Sequence, residues 1–202
     1  MEKKENLFIV LEGIDGSGKS SLSKNLVNAL EEKSFKTKRF FEPTDYETGK
    51  YIRKFLKGEI SLSKEKQIEA FIKDREDSVS KNILPSLQNR ITVILDRYYY
   101  STAAYQAGEE YSPERIIELN EIRKFPKPDL LFFLKIEPER ALERIQSRSG
   151  EKERFDSLEN LKTIHENFLA ILPPNTIHLN AELSEEELVI EVIAHILKIL
   201  KH

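Results

Sequence analysis

Five apolar runs of strand length punctuate this chain, and a longer stretch of helical periodicity follows each one. The runs are Leu7–Leu11, Thr37–Phe41, Ile91–Leu95, Leu130–Ile136 and Thr176–Leu179. Two of them, "ITVIL" and "LLFFL", are nearly continuous, as expected of strands covered on both faces by helices rather than half-exposed ones. The helical stretches are Lys19–Ser34, Gly49–Lys57, Ser63–Leu84, Pro113–Lys124, Pro138–Arg148, Leu158–Ile171 and Glu185–Lys201. Local signals agree with these cuts. Ser112-Pro113 reads as an N-cap with proline at the first helical position, Ser184 with Glu187 as a capping box, and Pro173-Pro174 as a stop. Strand–helix alternation predicts an α/β fold with a five-stranded parallel sheet, its ligands bound beyond the carboxyl ends of the strands. No repeat or linker divides the 202 residues, so one domain is expected.

The first strand–helix junction reads "EGIDGSGKSS". Gly13-x4-Gly18-Lys19-Ser20 fits a phosphate-cradling loop, in which bare amides wrap phosphate, Lys19 neutralises it and Ser20 holds Mg²⁺. A glycine-rich turn would be the bland alternative, but the apolar strand before and the amphipathic helix after are the context the motif requires. Gly13, Ile14, Asp15, Gly16, Ser17, Gly18, Lys19 and Ser20 are therefore expected to bind the phosphates of a nucleotide. Asp15 is unexpected in a loop that collects anions. It either caps the helix or accepts a hydrogen bond from a sugar hydroxyl.

Composition narrows the partners. Charged residues make up 33% of the chain but the net charge is only −3, so bulk attraction to nucleic acid or an anionic membrane is not expected. There is no cysteine, and "MEKKEN" leads into an apolar run too short for a signal or spanning segment, which suits a cytoplasmic protein.

Three further stretches bear on chemistry. In "VILDRYYYSTAAYQ", Asp96 falls just past a buried strand, where a carboxylate reaches Mg²⁺ through water. Arg97 beside it can clamp phosphate; an ion pair at a strand end is the alternative. In the Ser63–Leu84 stretch, Arg75 interrupts the stripe of Ile68, Ile72, Val79 and Ile83, four residues after Phe71. The two could stack on and hydrogen-bond a planar base, or be a snorkelling arginine beside a core phenylalanine. In "ERALERIQSRSGEKERFD", Arg140, Arg144 and Arg148 recur every four residues, followed by Lys152 and Arg154. Interspersed glutamates fit a solvated, salt-bridged helix; a basic lid over about 147–156 would instead bring cations to a transferring phosphoryl group. The four histidines lie in the last quarter, away from these motifs.

Taken with "FIVLEGIDGSGKSS", "FIKDRED", "DRYYYSTAAYQ" and "PDLLFFLKIEPERALERIQSR", the chain resembles the thymidylate kinase family from end to end. The resemblance implies a P-loop fold with a short lid, phosphorylation of dTMP to dTDP with ATP and Mg²⁺, and a homodimer. It implies that Phe71 stacks on thymine, Arg75 reads its carbonyl edge, and Thr102 and Gln106 lie near the base. Asp15 would meet the 3′-hydroxyl, Tyr105 crowd the 2′ position, and Arg53 and Arg97 hold the acceptor phosphate, with Glu42 and Ser101 in the same dTMP site. Arg148 and Arg154 would approach the transferring phosphate and Arg144 lie against adenine. The loop "FEPTDYETGK" departs from several relatives, which carry an arginine or a glycine pair there.

A phosphate acceptor, with a second pKa of about 6, is already anionic at neutral pH, so no general base is required. Rival readings are another pyrimidine nucleotide or nucleoside kinase, where Glu42 could serve as base, and a non-catalytic ATP-binding regulator.

Overall fold

Backbone pairing, rather than side-chain polarity, decides where each strand ends. In the computed structural model, which describes residues 5–147 and 154–200, the strands are β1 (Phe8–Glu12), β2 (Thr37–Phe41), β3 (Thr92–Asp96), β4 (Leu130–Lys135) and β5 (Ile177–Asn180). β1, β3 and β5 each run one residue past the expected end, so Glu12, Asp96 and Asn180 are strand residues. Asp96 is thus the last residue of β3, paired in register with Leu11 and Phe41, not the first residue beyond it. All neighbouring strands are parallel, in the order β2-β3-β1-β4-β5. β1 and β3 are buried along their whole length, which is why their sequences carry no alternation.

Helices flank this sheet. α1 (Lys19–Glu31) packs on β1, β2 and β3 and against α9 (Glu185–Leu200). α2 (Glu47–Leu56) packs on α3 (Lys64–Ser78), and α5 (Tyr99–Gln106) is enclosed by α3, α6 (Pro113–Glu121) and α8 (Leu158–Ile171). α7 (Pro138–Gln146) joins β4 to the segment before α8. The local caps form as the sequence suggests. Ser112 Oγ accepts the Arg115 N–H at 3.2 Å, and Ser184 and Glu187 satisfy each other's backbone N–H groups at 2.9 and 3.2 Å.

Two elements depart from the expectation. The long Ser63–Leu84 helix is α3, then a π-helical turn over Val79–Ile83, then α4 (Leu84–Gln88). Pro85 explains the break: it has no N–H for the carbonyl four residues back, and its ring crowds that carbonyl, so the backbone widens just ahead of it. The other is α5, a helix with no amphipathic stripe because all eight of its residues are buried.

Candidate active site

The phosphate loop follows β1 directly. Gly16 and Gly18 hold φ of +81° and +95°, and a Cβ on Gly16 would stand 2.4 Å from the Ala141 carbonyl oxygen, so α7 can lie against the loop only if residue 16 is glycine. Gly18 is the N-cap of α1 and offers no side chain, which leaves the first amides of the helix open to an anion. Ile14 is fully buried in the core, so only its backbone serves the loop. Lys19 Nζ donates to the carbonyls of Gly13 and Ile14 at 2.9 and 2.8 Å and to Ser17 Oγ at 3.2 Å. Burial first, and the nearby Arg97 guanidinium second, lower its pKa to about 8.

Ser20 Oγ donates to Asp96 Oδ2 at 2.7 Å, which brings one hydroxyl and one carboxylate to the edge of the loop. Two such oxygens suit Mg²⁺, which keeps several waters and takes phosphate oxygens rather than an all-protein cage. Among the described residues no group of three or more metal-ligating side chains occurs. Arg39, which sequence reasoning missed, reaches the same place: its Nε donates to Ser23 Oγ at 2.6 Å and its Nη2 lies 3.4 Å from Asp96 Oδ2. The only signal for it was the period of two that puts Arg39 and Phe41 on one face of β2. Ser20, Arg39 and Asp96, with Lys24 and Glu42, line a cavity of about 370 Å³.

Arg97 opens the turn into α5 with φ +72°, its N–H on the Leu11 carbonyl at 3.0 Å. Its guanidinium donates to Asp15 and to Ser101 Oγ (3.2 Å) and lies over the Tyr105 ring at 5.0 Å. Tyr105 Oη donates to Asp15 Oδ2 at 2.8 Å and accepts the Asp15 N–H at 2.9 Å. Asp15 therefore does not cap α1. Burial alone would raise its carboxyl, but the Arg97 and Lys19 charges and the Tyr105 hydroxyl outweigh this and lower it, so it is ionised at neutral pH. Arg97 pairs with Asp15 rather than with Asp96, and the ion pair at the end of β3 is the one between Asp96 and Arg39.

A second cavity, of about 260 Å³, adjoins the first; Asp15, Phe41 and Arg97 line both. Its walls are largely aromatic and aliphatic (Phe41, Leu56, Phe71, Tyr105, Phe155), with Arg53, Ser101 and Gln106 as polar groups. Gln106 is 1% exposed and neither atom of its amide has a hydrogen-bond partner. Phe155, which stands edge-on to Tyr105 at 5.4 Å, had no sequence signal. Arg53 donates to the Pro43 carbonyl at 2.8 Å, to the Thr44 carbonyl and to Asp45 at 3.0 Å, tying down the β2–α2 loop. Asp74 holds the same loop by accepting from the Thr44 N–H and Oγ1 at 2.8 and 2.6 Å.

Several expected positions need correction. Arg75 neither snorkels nor lines the second cavity. It is 1% exposed, donates to Asn120 Oδ1 at 2.7 Å and Thr102 Oγ1 at 3.0 Å, pairs with Glu42 at 2.7 Å, and lies over the Tyr98 ring. Thr102, also 1% exposed, serves Arg75 instead of the cavity. Glu42 lines the first cavity, not the second. Burial, partly offset by Arg75, pushes its carboxyl up to about 7. Arg154 lines neither cavity: it donates to the Phe55 and Ile60 carbonyls at 3.2 and 3.4 Å, and its guanidinium covers the Phe55 ring at 4.5 Å. It finishes the carboxyl end of α2, where a cation and the last carbonyls suit each other. Arg144 donates to the carbonyls of Gly16 (3.5 Å) and Ala181 (2.9 Å), beside the loop. Arg140 is exposed and ion-paired with Glu143, as the bland reading of the basic stretch has it. Arg148 and Lys152 lie outside the described residues.

Comparison with known proteins gives the family. Residues 11–192 match the family described as thymidylate kinase. The chain is 50% identical over 193 residues to the thymidylate kinase of Leptospira interrogans serogroup Icterohaemorrhagiae serovar copenhageni, covering 96% of this chain and 95% of that one. It is 40% identical to a probable thymidylate kinase of Archaeoglobus fulgidus, covering 92% of each, and 33% identical to the thymidylate kinase of Desulfotalea psychrophila over 100% and 99%. With a phosphate loop, a following Asp-Arg turn and an aromatic-walled neighbour in one continuous site, the chain belongs to the thymidylate kinase family.

Proposed function

We propose that this protein transfers the γ-phosphoryl group of ATP to dTMP, giving ADP and dTDP. One observation carries the reading: two cavities, one built on a phosphate loop and one apolar with a buried, unpartnered glutamine amide, share Asp15, Phe41 and Arg97. Two nucleotides can lie end to end in that space with their phosphates meeting at Arg97. A pyrimidine ring suits the second cavity. Phe71 offers a flat apolar wall, and the Gln106 amide, one donor side and one acceptor side, complements the carbonyl and imide N–H of thymine.

The chemistry asked of the chain is positioning and charge cancellation. The loop amides and Lys19 hold the donor phosphates, and Arg97 faces the acceptor phosphate with Arg53 nearby. Ser20 and Asp96, the latter through water, would hold Mg²⁺, which supplies positive charge to the β- and γ-phosphate oxygens when bound. Asp15, ionised, accepts from a sugar hydroxyl, and the Tyr105 ring beside it leaves little room for a 2′-hydroxyl. No base is needed for an acceptor that is already anionic. Arg144 flanks the adenine side, and the segment about 147–156 acts as a lid within a single kinase domain, Arg148 carrying its charge. From the same resemblance we infer a homodimer and a cytoplasmic location. Among the described residues no helix is long and apolar enough to cross a membrane.

A coupled ADP assay with dTMP, dUMP, CMP, AMP and thymidine tests this. The expected outcome is acceptor-dependent ADP release with dTMP preferred over dUMP by roughly ten- to a hundredfold, the worth of one methyl group in an apolar pocket. Gln106→Leu should raise the KM for dTMP about tenfold or more and leave that for ATP unchanged, since it removes the buried amide that would pair with the base. Thymidine accepted as readily as dTMP would favour a nucleoside kinase with Glu42 as base. ADP release indifferent to acceptor would point to a regulator.

A further inference from the structure

Glu12 lines neither cavity, yet it is completely buried at the end of β1, one residue before the phosphate loop begins. A carboxyl in such a place is costly unless its oxygens are satisfied. All of its hydrogen bonds go to one spot. Oε1 accepts the N–H of Tyr98 at 2.8 Å and that of Ser101 at 3.1 Å, and Oε2 accepts from Ser101 Oγ at 2.5 Å. Tyr98 is the N-cap of α5 and has no side-chain cap of its own. The amides of the N-cap and of the third helical residue are the pair that a capping box satisfies from within a helix. Here a residue of another strand does it from outside.

The neighbouring backbone reinforces the joint. The Arg97 N–H, in a left-handed turn, bonds the Leu11 carbonyl, so residues 11 and 12 together hold 97, 98 and 101. On one side of this joint the chain runs straight into Gly13 and the donor loop. On the other, α5 carries Ser101, Tyr105 and Gln106 into the second cavity. Ser101 Oγ also accepts from Arg97, which continues to Asp15 in the loop, so the connection closes on itself.

We propose that Glu12 is a positioning residue, a remote cap on α5 that fixes the donor phosphate loop and the acceptor helix at one separation. The proposal rests on the phosphoryl-transfer reading above. In-line transfer between two bound nucleotides is sensitive to that separation: a misplacement of about 1 Å costs on the order of a hundredfold in rate. Glu12 lines neither cavity, so binding of each nucleotide alone should survive its loss.

Three variants test this below their unfolding midpoints, with rates counted per folded molecule. Glu12→Ala should lower kcat at saturating ATP and dTMP on the order of a hundredfold, with the Kd of each nucleotide alone within threefold of the parent. Amide hydrogen exchange at residues 98 and 101 should lose protection while that of α1 is kept. Glu12→Gln keeps an oxygen for both amides and should retain protection and most of kcat. Glu12→Asp keeps the charge but withdraws it by a methylene, so it should fall between the two and makes the comparison where the alanine variant does not fold. An aspartate variant more active than the glutamine one would overturn the proposal in favour of a role for charge. So would a kcat unchanged in the alanine variant, a glutamine variant that does not fold, or a loss confined to nucleotide binding. If the parent protein fails to turn over dTMP, the functional reading fails first, and the exchange measurement still decides whether Glu12 anchors α5.

Discussion

Replacing Glu42 by glutamine isolates the buried contact between Glu42 and Arg75. Glu42 is 5% exposed, pairs with Arg75 at 2.7 Å, and burial pushes its carboxyl from 4.5 up to about 7. The folded protein therefore binds this proton more tightly than the unfolded chain does. The stabilisation is fully present below about pH 4.5 and is lost as pH rises through about 7. A displacement of that size corresponds to roughly 3 kcal/mol, lost most steeply at about 1.4 kcal/mol per pH unit between those two values. Urea unfolding of the parent and of Glu42→Gln at several pH values from 4.5 to 8 reads it directly. Glutamine does not titrate, so the parent's advantage over the variant should shrink by about 3 kcal/mol across the range. The opposing possibility is an ion pair that stays charged throughout. Breaking that by removing one partner costs about 3–5 kcal/mol at every pH. Parallel stability curves for the two proteins would thus refute the reasoning.

Two other perturbations follow from close contacts. A Cβ on Gly49, within α2, would stand 1.9 Å from the Thr44 carbonyl oxygen and 2.7 Å from two more Thr44 backbone atoms. Gly49→Ala should destabilise by at least about 3 kcal/mol and, because Thr44 belongs to the loop tied by Arg53, raise the KM for dTMP more than that for ATP. A loss under about 1 kcal/mol in chemical denaturation would mean that the helix and loop separate easily. Tyr105→Phe strips Asp15 of the hydroxyl that both donates to its carboxylate and accepts its N–H. About 1–3 kcal/mol of stability should go with it, while discrimination against ribonucleotides, which rests on the ring that phenylalanine keeps, should persist in the ratio of kcat/KM for dTMP and its ribose counterpart.

What the sequence makes legible here is what local physics dictates. Apolar runs become buried strands, glycines with a following Lys-Ser become the loop, and serine caps sit where the next residues demand them. α5 was not legible as a helix because periodicity is a record of a helix having two kinds of surroundings, and this one has a single kind. Arg75 shows a different limit. Its place in an apolar stripe gave the face it lies on, but not that Glu42 of the β2–α2 loop, Thr102 of α5 and Asn120 of α6 would meet it there. Arg154 reads as one more cation in a basic stretch, yet the carbonyls it serves, Phe55 in α2 and Ile60 just beyond it, lie about a hundred positions earlier. Glu12 and Arg39 are likewise defined by partners far away in the chain.

The enclosure of α5 has a consequence for how this enzyme can change. Every residue that helix lends to ligand recognition is at the same time interior packing. Substitutions that retune the choice of acceptor from α5 will therefore tend to unsettle the fold as they do so. Variation that alters specificity at little structural expense should be found opposite, at the half-buried wall positions Leu56 and Phe71.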